Sequence, residues 1–171
     1  DSLYSPQNMT LVYVGKLPGD ILELENKYFV DLPKRGQFKF APFRKKKQNK
    51  ARVAVFYKKT DQANLILGVE GYSRYDEKRY TVDVLGTILG AGMSSRLFIQ
   101  VRERRGFAYH VSAGPGFYMD TGNFAVYAGL KLEKVYEGLD IIKVELERTV
   151  VEKVTDDELK KIGLEWTEKL V

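Results

Sequence analysis

Residues 107–130 read FAYHVSAGPGFYMDTGNFAVYAGL, and this stretch decides the fold. Phe107–Phe117 and Asn123–Leu130 carry the aromatic and β-branched residues that suit a pleated, half-buried surface. Only Tyr118, Met119, Asp120, Thr121 and Gly122 separate them, a link short enough for a hairpin. The pair is therefore antiparallel. Side chains alternate along a strand, so Phe107, Tyr109, Val111 and Phe117 are expected on one side and His110 on the other.

Working outward, Val135, Leu139, Ile142, Leu146 and Val150 recur at helical spacing and form the core stripe of a long helix. Thr155, Asp156, Asp157 and Glu158 spell a capping box. It opens a last helix whose Leu159, Ile162 and Trp166 face inward. Upstream of the hairpin, Asp76 is placed to cap a helix with Tyr80, Val84, Leu85 and Ile88 on its apolar face. A glycine-rich break at Gly90–Gly92 follows, then a second helix, Arg96–Arg105, stopped by Gly106. Arg52–Tyr57 and Gln62–Val69 read as strands linked by Lys58–Asp61. Pro18–Leu32 reads as a helix and Met9–Val14 as a strand ended by Gly15. The order is β-α-β-β-α-α-β-β-α-α. This is α+β, a largely antiparallel sheet with helices packed on one face. Residues 1–171 are expected to be a single domain, excised from a longer two-domain chain.

Hydrophobic residues make up 44% of the 171 and charged residues 30%, which excludes a collagen or a disordered tail. No run of 18 apolar residues exists, so neither a transmembrane helix nor a membrane partner is expected. There is no cysteine, hence no disulfide, thiolate zinc site or cysteine nucleophile. That fits a reducing compartment and favours the cytoplasm. His110 is the sole histidine, so sites needing two imidazoles are absent and no metal site is assigned. Eleven of the 28 basic residues, and none of the 23 acidic ones, fall within residues 34–59. The run Arg44–Lys47 lacks a recognition helix or aromatic ladder, so no nucleic-acid partner is assigned. It reads as a solvated connector anchored by Phe38, Phe40 and Phe43. Gly90 and Gly92 precede a helix, but a third glycine and a phosphate-loop lysine are missing. They read as a tight helix–helix turn.

The most specific chemistry lies at the second helix end. Arg102 falls in its last turn and Tyr109 early in the strand beyond Gly106. A guanidinium and a phenol brought together by that reversal are good donors to a peptide carbonyl or an oxyanion.

Leu89–Phe98 (LGAGMSSRLF) followed by Val101–Tyr109 (VRERRGFAY) strongly resembles the second domain of pitrilysin-family zinc peptidases, relatives of insulin-degrading enzyme and mitochondrial processing peptidase. Tyr4–Met9, Tyr28-Phe29, Leu32-Pro33, Tyr118–Gly122 with Phe124, and Val154-Thr155 with Glu158-Leu159 extend the likeness along nearly the whole chain. The resemblance implies a duplicated α+β fold whose first copy carries an H-x-x-E-H zinc motif. The second copy closes a substrate chamber, with Arg102 and Tyr109 binding peptide and stabilising the transition state. No H-x-x-E-H is present here. Zinc is therefore expected in a missing N-terminal domain or in a catalytic partner subunit, and this piece alone is expected to be inactive. Peptide substrate, that zinc-binding domain or subunit, and self-association are the partners implied. The alternative is a structural or partner subunit of the same family with no peptidase role.

Overall fold

Three strands, β1 (Gln62–Glu70), β2 (Ala108–Phe117) and β3 (Gly122–Lys131), form one antiparallel sheet in the order β1-β3-β2. The structure is a computed structural model describing residues 4–33, 36, 38–44 and 48–168, with backbone alone over 164–168. The chain divides into two units, Asp1–Arg44 and Lys45–Val171, and the sheet belongs to the second. The hairpin read from residues 107–130 is present. Phe117 pairs with Gly122, and the Tyr118 N–H donates to the Thr121 carbonyl at 3.0 Å.

Central strand β3 turns Phe124, Val126, Ala128 and Leu130 into the core, where Val111 and Ala113 of β2 and Leu65 and Leu67 of β1 join them. Helices cover this face. α2 (Arg79–Gly90) rides directly on β2 because two of its residues lack side chains. A Cβ at Gly90 would strike the backbone nitrogen of Ala113, and one at Gly86 would come within 3.0 Å of the Gly114 Cα. α3 (Val135–Val151) buries Ile142 completely and sets Gly138 against the methyls of Leu130. α4 (Asp156–Glu168) buries Ile162. The architecture is α+β, as the alternation of hairpin and amphipathic segments predicts.

Several local expectations differ. Met9–Val14 and Arg52–Tyr57 make no strand pairing, so Lys58–Asp61 does not close a hairpin. β-branched composition reports fit to a pleated surface, and a strand also needs a partner ladder. Met9, Leu11 and Tyr13 do keep the period of two. All three line one hollow with Phe29 and Val30 at the end of α1 (Ile21–Phe29) and with Leu32 beyond it. The first helix is shorter than the expected Pro18–Leu32. α2 begins at Arg79 rather than Asp76, whose Oδ1 instead accepts the Lys78 N–H at 2.9 Å in the preceding turn. Tyr80, Val150 and Leu159 are exposed, whereas the expected Ile88, Ile142 and Ile162 are buried and Leu89 joins them. Of the connector phenylalanines, Phe38 packs edge-on against Phe40, and its N–H donates to Asn8 Oδ1 at 2.8 Å. Lys45–Lys47 and the Trp166 side chain lie outside the described residues.

Candidate functional site

After Gly90 the chain turns through Gly92, whose φ of +118° lies in the left-handed region that favours glycine. Gly90 and Gly92 thus serve a close helix–strand contact and a sharp turn. A short helical segment follows. Arg96 and Leu97 are α-helical, but Phe98–Glu103 winds as a π-helix, so the expected helix Arg96–Arg105 is widened in its second half. Such widened turns are frequent at functional sites. Leu97 and Val101 are fully buried and fix this segment to the core. Gly106, at φ +61°, ends it: its N–H donates to the Arg102 carbonyl and the Phe107 N–H to the Val101 carbonyl. These bonds satisfy carbonyls that a helix end otherwise leaves open.

The start of the segment is held from α4. Arg96 Nε and Nη2 donate to the two carboxylate oxygens of Glu158 at 2.6 and 2.9 Å. The same carboxylate accepts the Thr155 N–H at 2.9 Å, while Thr155 Oγ1 accepts the Glu158 N–H at 3.3 Å. The capping box read from the sequence therefore exists, and its glutamate also clamps the Arg96 turn. The Arg96 guanidinium, helped by Thr155, holds the Glu158 carboxyl at about 2, against an ordinary value of 4.5. Glu158 in turn raises Arg96. On α3, Arg148 lies 3.4 Å from buried Glu145 and 2.7 Å from Glu152.

Arg102 is exposed, with its guanidinium 4.9 Å from the centre of the Phe98 ring, one turn back. Tyr109 stands where β2 carries one residue too many. Ala108 pairs with Leu130 and His110 with Gly129, leaving Tyr109 as the extra residue of a β-bulge. This bulge corrects the expected alternation: Val111 points into the core, while Tyr109 is 53% exposed and does not share its side. Tyr109 lines a shallow hollow of ≈ 560 Å³ with Lys59, Thr60, Asp61 and Gln62. Among the described residues no hydrogen bond joins Arg102 to Tyr109. The glycine reversal places them at the same end of the sheet, each presenting donors to solvent.

The face of the sheet away from the helices is set by the same register. Across it run Asn64, Gly129 and His110, then Ile66, Tyr127 and Ser112, then Gly68, Ala125 and Gly114. Gln62 is a member of this surface that hydrophobic patterning does not single out. Its pairing position, opposite Lys131 at the start of β1, brings it beside Tyr109. Among the described residues no group of three or more His, Asp or Glu converges. One imidazole and scattered carboxylates do not fit a zinc centre.

The model of the Peptidase M16 inactive domain matches residues 1–162. An uncharacterized zinc protease of Streptomyces coelicolor is 46% identical over 108 residues, which are 63% of this chain and 24% of that protein. An uncharacterized zinc protease of Rickettsia felis is 34% identical over 164 residues, 93% of this chain and 38% of that protein. Among solved structures, a protease from Helicobacter pylori superposes with a TM-score of 0.69 at 25% identity, covering 88% of this chain and 38% of that one. A peptidase M16 inactive domain from Pseudomonas fluorescens gives 0.62 at 26% identity, over 64% of this chain and 27% of that one. The chain thus spans well under half the length of these relatives.

Proposed function

The chain belongs to the family of M16 peptidase inactive domains, and on that premise we propose that it is the non-metal-binding domain of a longer zinc protease. It completes the substrate chamber opposite a zinc-binding domain, carried on the same chain or on a catalytic partner subunit. Arg102 and Tyr109 are its contribution to chemistry. The observation that carries this reading is the position of Tyr109, the extra residue of a bulge, half exposed, just beyond the turn that bears Arg102. Bulges re-aim side chains next to active sites.

The donor set of this chain does not fit zinc, so no step runs through a metal held here. The metal's Lewis acidity belongs to the partner domain. What these residues do is bind and orient. The phenol and the guanidinium donate hydrogen bonds to the substrate backbone near the scissile carbonyl, where negative charge builds up. The test is Tyr109→Phe in the full-length protein. Losing one such donor should lower kcat by roughly two to three decades while zinc content stays unchanged. Arg102→Lys should also be slow, because an ammonium lacks the planar fork.

A second reading has one observation in its favour. The Arg102 guanidinium rests on Phe98, a contact that a purely structural arginine makes as well. If both variants cleave peptide at the wild-type rate, the domain is a scaffold without a catalytic part.

A further inference from the structure

Tyr109 and His110 both stand opposite Gly129, one as the bulge residue and one as the paired residue. Gly129 has no side chain, and the space over its Cα is taken by two neighbours. Where a Cβ would be, the His110 Cε1 comes closest, its Nδ1 is 2.5 Å away, and the Gln62 Oε1 is 2.8 Å away. Imidazole and amide therefore sit side by side above one bare backbone position. Among the described residues neither group has a hydrogen-bond partner. Gln62 also lines the hollow that holds Tyr109. The three side chains make a continuous polar rim at the end of the helix-free face.

We propose that Gln62 and His110 hold the main chain of a peptide substrate beside Tyr109. This rests on the reading in which Tyr109 faces substrate. An amide side chain offers one acceptor and an NH₂ donor, and a neutral imidazole offers one donor and one acceptor. A peptide unit presents the complementary N–H and C=O. The charges in the hollow are of opposite sign, Lys59 and Asp61, so the site does not select an anionic or a cationic ligand. Gln62 and His110 thus read the backbone rather than the side chains of the peptide. Gly129 gives the imidazole its place; any larger residue there displaces the ring.

The experiment uses the full-length protein, stripped of metal with a chelator so that nothing is cleaved, and fluorescein-labelled unstructured peptides, one acidic and one basic. His110→Ala and Gln62→Ala should each weaken binding about fivefold, equally for both peptides. His110→Gln, which keeps a donor and an acceptor, should recover most of the loss. Gly129→Ala should weaken binding as His110→Ala does, although both polar groups remain. Should that variant not fold, the two substitutions at exposed His110 decide. Wild-type affinity in His110→Ala and Gln62→Ala overturns the proposal, as does a loss confined to one peptide charge or a wild-type protein that binds neither peptide. Tyr109→Phe in the zinc-loaded enzyme separates the two ideas. A slow Tyr109→Phe with tight-binding His110→Ala and Gln62→Ala sinks only this proposal. A Tyr109→Phe of normal turnover with weakened binding in the other two sinks only the role of Tyr109.

Discussion

Replacing Glu158 by Gln keeps the side chain's size and its ability to complete the capping box, but removes the charge set 2.6 and 2.9 Å from Arg96. The wild-type carboxyl is held at about 2 rather than 4.5. Taken whole, that shift is equivalent to about 3 kcal/mol. The glutamate is 27% exposed, and water on that side screens the pair, so about 1–2 kcal/mol is the better figure. The variant also leaves Arg96, 10% exposed, facing a neutral amide, which moves the expected loss toward about 2 kcal/mol. Because the folded value is depressed, this stability is present above about pH 4.5 and is lost as pH falls through about 2. Denaturant unfolding of wild type and Glu158→Gln at a series of pH values measures it. The gap should be full at pH 7, about half as large by pH 3, and smaller still below that. An equal gap at pH 7 and pH 3, or none at pH 7, refutes the idea that a charge pair ties α4 to the Arg96 turn.

Gly90→Ala drives a methyl into the Ala113 backbone and should cost about 3 kcal/mol in thermal or denaturant unfolding, whereas Gly138→Ala meets only the methyls of Leu130 and should cost less. After dialysis the chain should hold no stoichiometric zinc by elemental analysis, because no metal-binding group of donors converges among the described residues; tightly held zinc in a monomer would contradict this. Ile66 and Tyr127 are exposed on the helix-free face, so self-association is expected at high concentration. Light scattering that shows a clean monomer counts against it.

The parts legible in the sequence are those fixed by local chemistry. The five-residue link Tyr118–Gly122 announced the hairpin, and Thr155 with Glu158 announced a capping box that the structure closes in both directions. The segment from Arg96 to Gly106 was legible as a helix stopped by a glycine, and Gly106 does adopt a left-handed φ. What escaped depends on neighbours remote in sequence. Met9–Val14 has the alternation of a strand but no ladder. The π-helical winding of Phe98–Glu103 carries no sequence signature, and neither does the bulge at Tyr109. That one added residue overturned the expected shared side of Tyr109 and Val111. The second duty of Glu158, binding Arg96 62 residues away, is likewise a product of tertiary packing. Gln62 sits in an otherwise ordinary strand, and only the register across β3 brings it to His110.

The most direct measurement is single-turnover peptide cleavage by full-length Tyr109→Phe, with zinc content determined on the same sample. The substitution removes one hydroxyl from an exposed ring and leaves no cavity, so the fold and the metal should be intact. A fall of roughly two to three decades in the cleavage rate at unchanged zinc is the expected result. Cleavage at the wild-type rate would contradict the part assigned to Tyr109 in peptide hydrolysis.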